Sequence, residues 1–469
     1  MVQIYLDPAA RRGAARSIYD QIRDAIESGV LGEGDPLPPS RELAGELGVS
    51  RHTVTTAYSL LVAEGYLAGR AGGGTTVCRT ASGRRPADRW SVLRPVEVES
   101  APPTTLRPPT GGVDLRGGQP DPALFPTDEW RRCASAALHR ALPGYGEPAG
   151  FASLRQVLAG WIGRSRGVIV DADQIIVTSG AQEAVHLVVR TMLRPGDPIA
   201  VEDPGYPPVR LLFEAIGLRV VAVPVDGEGI VVDQIPPKVK VVYTTPSHQS
   251  PSGVTMSLGR RRALLAFADR HDTAIIEDDY DSEFRHTDRP LEPLHRLDRS
   301  GRVAYVGTFS KTLSPSLRLG FVALPEPLVD AAIAWRQLFS VQPSSLGQFT
   351  LQRFIEHGHL DRHLRRVRRV YRTRHEIVRQ FVADGVDAGV LLPGPENHAG
   401  LHLSTVLPTD VSEDAIRDDA RRRGIAISSF AECCVRPDHP NGMLIGFGMA
   451  GADVLERALP DLRAVLERA

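Results

Sequence analysis

Apolar residues return every four positions near the start of this chain, at Ile18, Ile22, Ile26 and Val30, and predict an amphipathic helix over Ser17–Gly29. A second rhythm follows it. Ser40 stands where an N-cap belongs, Leu43, Ala44 and Leu47 share one face, and Gly48 offers the left-handed tolerance of a C-cap. After Val49, Ser50 caps a further helix with Val54, Ala57, Tyr58 and Leu61 inward, which is helix-turn-helix spacing. Tyr66-Leu67-Ala68 and Thr75-Thr76-Val77 flank Gly69–Gly74 and predict a β-wing. From Thr80 to Gly112 periodicity stops; Pro, Ser, Thr and Arg dominate, and the stretch reads as a linker. Beyond it, short apolar runs alternate with helical patterns: Ile175-Ile176-Val177, Pro198–Val201, Val239–Tyr243, Ala274-Ile275-Ile276 and Val303–Val306. Such alternation implies an α/β domain on a mostly parallel sheet. The expected organisation is a winged helix-turn-helix over 1–79, a Pro/Arg/Ser-rich linker over 80–112 and the large domain over 113–469.

Composition removes several classes of function. A net charge of −1 gives no global field toward nucleic acid or anionic membrane. No apolar run approaches the ~20 residues that span a bilayer. The opening MVQIYLDPAARRG has no apolar signal core, so a cytoplasmic protein is expected. Cys78, Cys133, Cys433 and Cys434 are too few for a disulfide scaffold and lack zinc spacing; they read as reduced thiols, and no metal site is expected.

The second helix of the helix-turn-helix, capped by Ser50, carries a polar face of His52, Thr53, Thr55, Thr56 and Ser59, with Arg51 at its start. These short, carboxylate-free side chains suit the base edges of double-stranded promoter DNA. Arg41, Ser50, Arg51, Thr53, Thr55, Thr56 and Arg70 at the wing are the candidate DNA contacts. Residues 1–79 hold eight arginines against nine acids, so phosphate contacts depend on local placement, with Arg84 and Arg85 as possible help. The run LPPSRELAGELGVSRHTVTTAYSLLVAEGYLAGRAGGGTTV resembles the winged helix of the GntR superfamily almost position for position.

The large segment carries a different chemistry. Only three lysines occur, Lys238, Lys240 and Lys311, among 55 Lys and Arg residues. Lys311 lies in Thr308-Phe309-Ser310-Lys311-Thr312, a strand end running into a small-residue loop. A lysine amine can attack a carbonyl where an arginine does not, so Lys311 is the candidate for a Schiff base with an aldehyde cofactor. Four other features fit pyridoxal phosphate (PLP). Ser179, Gly180 and Ala181 open a helix after a strand, a phosphate site by free N–H groups and dipole. Asp278 can keep a pyridine nitrogen protonated, and the Tyr280 phenol can bond the ring oxygen. An acidic loop or divalent-metal site is the other reading of that segment. Tyr206, between Gly205 and Pro207, can stack on a flat ring or pack on its neighbours. Thr308 and Arg318 can hold the phosphate, Arg318 as a bidentate fork or else as a surface ion pair.

In order, SGAQ, EDPGY, TPSHQSPSG, EDDY and SKTLSPSLRLG resemble the fold-type I, aspartate aminotransferase-like PLP family from about Leu115 onward. That likeness implies a smaller C-terminal subdomain and a homodimer in which Tyr145 reaches the partner's phosphate site. With the winged helix, the chain resembles the MocR branch of GntR regulators. The resemblance implies a PLP-binding, effector-sensing domain that alters promoter binding. The expected effector is PLP itself or a small amine or amino acid, and nucleoid association follows from DNA binding. Two departures stand out. Ser250 occupies the place where aminotransferases carry a ring-binding Asn, and Leu444 that of their carboxylate-binding Arg. Arg436 is the candidate substitute for the latter. The alternative is an active PLP-dependent aminotransferase with a fused DNA-binding module.

Overall fold

The structure, a computed structural model, describes residues 13–70, 74–78, 112–139, 144–286, 292–395, 397, 399–437 and 439–469. The wing tip, the Arg70 side chain, Arg84, Arg85 and all of the expected 80–112 linker but Gly112 lie outside them. The chain divides into two compact units, Met1–Glu97 and Val98–Ala469.

In the first unit, helices Ala14–Glu27, Ser40–Glu46 and Arg51–Ala63 enclose a core of Ile18, Ile22, Ile26, Leu43, Val54, Ala57 and Leu61. The first helix starts and ends earlier than its periodicity predicts. Gly29 turns the chain at φ +80, so Val30 does not continue the buried face and is 68% exposed. Pro39, not Ser40, occupies the cap position of the second helix. Ser40 Oγ instead accepts from Arg51 Nε at 3.4 Å. Ser50 does cap the third helix, accepting from the Thr53 backbone N–H. Strands Leu67–Arg70 and Gly74–Val77 pair antiparallel as a wing, and Pro36–Leu37 adds a third strand. Gly48, at φ +63, makes the turn between the second and third helices, a conformation that disfavours a side chain.

The second unit is built on an eight-stranded sheet. In spatial order its strands are Ile175–Thr178, Gly320–Ala323, Val303–Thr308, Ala274–Asp279, Val241–Thr244, Pro198–Asp203, Arg219–Asp226 and Gly229–Ile230. The five from Val303–Thr308 to Arg219–Asp226 are mutually parallel. Gly320–Ala323 runs antiparallel to both neighbours, and Gly229–Ile230 closes a hairpin. Strands buried on both faces need apolar side chains throughout, which is why the central runs are rich in Val and Ile. A smaller C-terminal layer pairs His402–Val406, Gly442–Gly446 and Ser428–Ser429 under helices Glu413–Arg422 and Ala452–Leu466. The 29-residue helix His359–Asp387 packs on this layer. No helix among the described residues is long and apolar enough to cross a membrane.

Candidate functional site

The parallel strands all present their C-terminal ends to one edge of the sheet, the edge where open α/β folds bind ligands. Ser179, Asp203, Thr245, Asp278 and Thr308 sit at or just past those ends.

Lys311 follows the strand Val303–Thr308 by three residues. Its amine is closely surrounded, and desolvation lowers its pKa; Asp281 and Asp278 act in the opposite sense. A Cβ placed on Gly118 would lie 3.3 Å from Nζ, so only glycine leaves the amine its room. Asp278 is buried at the end of its strand. One carboxylate oxygen accepts from Tyr243 Oη at 2.7 Å, and the other has no partner among the described residues. Burial raises the Asp278 pKa to about 7, with Asp279 adding to the rise and Tyr243 and Lys311 opposing it.

Tyr206 begins the helix Pro207–Ala215 and is 41% exposed over its whole surface, yet its phenol is desolvated and pushed up to about 12. Asp278 and Cys433 add to the rise and Arg318 opposes it. Arg318 adopts φ +49 after a short 3-10 turn. This unusual backbone for a branched-off side chain lays its guanidinium against Gly180, where a Cβ would meet it at 3.1 Å. Gly180 itself has φ +99 and opens the helix Ala181–Met192. Thr308 Oγ1 donates to Ser310 Oγ at 3.0 Å and accepts the Ser310 N–H. The backbone N–H of Ser179 is taken by the Glu183 carboxylate, which also pairs with Arg336 and Ser340.

Tyr280 points its hydroxyl at the His248 backbone carbonyl, 2.9 Å away, and lies 3.1 Å from His248 Nδ1. His248 Nδ1 also bonds Asp281 at 2.9 Å. His402 packs on His248 with ring centroids 4.7 Å apart, and its Nε2 donates to the Pro251 carbonyl at 3.1 Å. His248, Asp281 and His402 each place one potential ligand atom within 4.8 Å of the others. This buried cluster was missed in the sequence because its members lie 33 and 154 positions from His248 and belong to three separate segments. The same holds for two other networks. Glu202 accepts from Thr244, Thr245 and Gln249, and Asp279 binds Arg166 at 2.6 Å and Tyr305 at 2.5 Å.

Lys311 and Asp278 thus act on each other's charge, Tyr206 feels both Asp278 and Arg318, and Arg318 lies against Gly180; Ser179, Ala181, Thr308 and Tyr280 lie within three residues of these in the chain. Two candidates stand apart. Tyr145 is 91% exposed. Arg436 lies on a loop whose Val435 and Arg436 N–H groups both bond Asp203, at 2.8 and 3.1 Å.

Arg51, at the start of the recognition helix, and Arg41, on the helix before it, are exposed. The Thr55 and Thr56 hydroxyls donate back to carbonyls of Arg51 and His52, at 2.7 and 2.8 Å, and Thr53 Oγ1 lies 2.8 Å from Ser50 Oγ.

A winged helix joined to a strand-edge pocket with a desolvated lysine, a buried carboxylate and an arginine over glycine defines a DNA-reading protein with a pyridoxal phosphate domain. Comparison with known proteins agrees. Residues 14–77 match the family of bacterial regulatory proteins, gntR family, and residues 111–437 match aminotransferase class I and II. The chain is 34% identical to the HTH-type pyridoxine biosynthesis transcriptional regulator PdxR of Corynebacterium glutamicum, over 98% of this chain and 97% of that one. It is 33% identical to the probable rhizopine catabolism regulatory protein MocR of Rhizobium meliloti, over 98% and 95%. A Pyrococcus horikoshii kynurenine aminotransferase structure superposes with a TM-score of 0.70 at 26% identity, covering 82% of this chain and 97% of that one. The chain belongs to the MocR-type GntR-family transcription regulators, which join these two domains.

The pocket fits the cofactor. The unpartnered, buried oxygen of Asp278 is what a protonated ring nitrogen would satisfy. The close approach of Arg318 to a residue with no Cβ leaves an exposed guanidinium beside a helix N-terminus, suited to a phosphate.

Proposed function

We propose that pyridoxal phosphate bound at Lys311 makes promoter binding by this regulator responsive to PLP itself or to a small amine. PLP supplies an aldehyde that condenses with amines and a ring that draws electrons from the resulting bond. Lys311 provides the protein amine, and its desolvation favours the neutral, nucleophilic form. Asp278 holds the ring nitrogen's proton. Ser179, Gly180, Ala181, Thr308 and Arg318 bind the phosphate, Tyr206 covers the ring, and Tyr280 turns from the His248 carbonyl toward the ring oxygen. The observation that supports this reading is the buried Asp278, with one carboxylate oxygen unpartnered among the described residues, at the same strand-end edge of the sheet as Lys311.

Arg41, Ser50, Arg51, Thr53, Thr55, Thr56 and Arg70 form the DNA-reading surface in this reading. The protein acts as a cytoplasmic homodimer, nucleoid-associated when on its operator, so that two winged helices read two half-sites. Tyr145 then completes the partner's phosphate site. Its exposure, and that of Leu138, Leu338 and Phe339, supports a covered surface. Arg436 is retained as an effector contact. An effector shifts operator affinity only as far as it prefers one of two states of the dimer.

The test uses purified full-length protein with PLP. A visible absorbance band that is lost in Lys311→Ala, together with an operator gel shift that changes with PLP, is expected. A colourless protein whose operator affinity ignores PLP overturns the reading. Rapid multiple turnover with amino-acid and keto-acid pairs would instead favour the fused aminotransferase.

A further inference from the structure

The helix His359–Asp387 buries Leu360, Leu364, Val367, Tyr371 and Val378 in the core of the second unit. Its outer face carries a different pattern. From Arg362 to Arg374 there are seven arginines and no acid, in a chain whose net charge is −1. Arg374 is buried and pairs with Asp121 at 2.6 Å. The others, Arg362, Arg365, Arg366, Arg368, Arg369 and Arg372, are exposed.

Elsewhere on the surface, exposed helix arginines meet a carboxylate one turn away, as Arg379 meets Glu376 and Arg457 meets Asp453. None of these six forms an ion pair among the described residues. Arg362 donates to the His357 carbonyl, Arg366 to that of Leu124 and Arg368 to that of Glu283. Those partners are neutral and leave the charge in place. The guanidiniums of Arg365, Arg369 and Arg372 have neither a hydrogen bond nor an ion pair among the described residues. Of the acids nearby, Glu376 is held by Arg379, and Glu129, which Arg366 influences, pairs with Arg132. Like charges a turn apart destabilise a helix, so packing alone gives no reason for such a stripe.

Arg365, Arg369 and Arg372 stand at i, i+4 and i+7, share one face and cover about 10 Å of helix axis. One strand of duplex DNA presents a phosphate about every 3.4 Å along its axis, so the stripe matches about three of them. Each guanidinium can grip two phosphate oxygens with parallel N–H bonds. The first unit has little such charge to offer, since residues 1–79 hold eight arginines against nine acids. A protein's sequence-independent hold on DNA comes from the phosphates that its cations neutralise.

Resting on the reading that the winged helix selects the operator, we propose that the face of Arg365, Arg369 and Arg372 is a second DNA contact, made by the large domain with the phosphates of the duplex. It adds affinity without reading bases; base readout stays with the winged helix.

Full-length protein is titrated by fluorescence anisotropy with a mixed-sequence duplex that lacks the operator, at several salt concentrations. Arg365→Gln, Arg369→Gln and Arg372→Gln combined in one protein are expected to lower affinity by roughly tenfold or more. The slope of log affinity against log salt should flatten by about 0.9 for each lost contact, about 2.7 in all. The matching triple lysine variant keeps the charge and should keep most of the affinity and slope. Operator affinity should fall by the same factor in the glutamine variant, leaving the preference for operator intact, whereas Arg51→Ala should erode that preference. If the triple glutamine variant melts early, Arg365→Gln alone carries the test, with an expected slope change of about 0.9. Wild-type affinity and slope in the glutamine variant overturn the proposal and leave the stripe to an acidic protein or to solvent. Equal losses in the glutamine and lysine variants overturn it too, because charge is then not what binds. A wild-type protein with no preference for operator over mixed sequence defeats instead the reading of the winged helix.

Discussion

Tyr243 donates its hydroxyl to one oxygen of Asp278 at 2.7 Å and leaves the other oxygen unpartnered among the described residues. Both groups are buried, one at the end of each of two adjacent parallel strands, so the register of the sheet sets the geometry. The tyrosine stabilises the carboxylate form, which is the form a protonated ring nitrogen needs. Removing a single neutral hydrogen bond costs about 0.5–1.5 kcal/mol, and one to a charged group about 1.5–3. Tyr243→Phe is therefore expected to weaken PLP binding by roughly ten- to a hundredfold, measured by equilibrium titration of the visible band. Unchanged affinity would mean that Asp278 does not need the tyrosine.

The same carboxylate should leave a mark on stability. Burial raises its pKa in the folded protein to about 7, whereas the unfolded value is near 4. Below about pH 4 the acid is protonated in both states and carries no penalty. From about pH 4 to about 7 the unfolded chain ionises this acid while the folded, PLP-free protein still holds its proton, so stability is lost across that window and levels off above it. Asp278→Asn keeps the shape and removes the charge. The PLP-free variant should match the wild type at about pH 4 and melt higher above about pH 7, while failing to retain PLP. A thermal melt series across that range checks the sign; a variant that is less stable at high pH refutes it.

Much of this was legible in the chain itself, for physical reasons that also explain what was not. Periodicity of Val54, Ala57, Tyr58 and Leu61 is local, and so is the cap at Ser50, so the recognition helix could be read directly. Lys311 follows a strand end and Asp278 lies in the last residues of its strand, where a residue's position along the chain indicates its place in space. The strand Gly320–Ala323 was hidden because its first residue looks like the close of a loop; it is glycine since a Cβ there would crowd Gly180 and the Gly307 carbonyl. Tyr243 was read only as part of an apolar run, and its role depends on a partner 35 residues away. Long-range pairs of this kind leave no periodic trace.

Asp203 illustrates such a pair and yields a further prediction. Its carboxylate receives the Val435 and Arg436 N–H groups, and the neighbouring Gly205 N–H bonds the Cys433 carbonyl at 2.9 Å. The loop of the C-terminal layer is thereby fastened to the turn that carries Tyr206. Asp203→Ala leaves two backbone donors without their acceptor, at about 1–3 kcal/mol. Denaturant unfolding should register that loss, and hydrogen exchange should quicken at 435 and 436 before it quickens in the sheet. Uniform exchange would show that the loop is held by other contacts.

Two neighbouring residues of the recognition helix separate fold from contact. Ser50 accepts the Thr53 N–H as the N-cap, so Ser50→Ala should lower the stability of the winged helix by about 0.5–2 kcal/mol. Arg51 is exposed, and the bond from its Nε to Ser40 Oγ, at 3.4 Å, is long. Arg51→Ala should therefore leave the melting profile of the first unit nearly unchanged and weaken operator binding by about 1–3 kcal/mol if the side chain reaches a base edge. If it reaches only phosphate, the loss should be similar on every sequence, and the dependence on salt should flatten. Thr55 and Thr56 differ again. Their hydroxyls already bond helix carbonyls, so each offers DNA a methyl group and a lone pair without a free donor. Thr55→Val and Thr56→Val should accordingly alter affinity less than Arg51→Ala. Gel-shift titrations at two salt concentrations, set beside thermal melts of the same proteins, decide these cases; an Arg51→Ala protein with wild-type operator affinity removes this helix face from the reading of DNA.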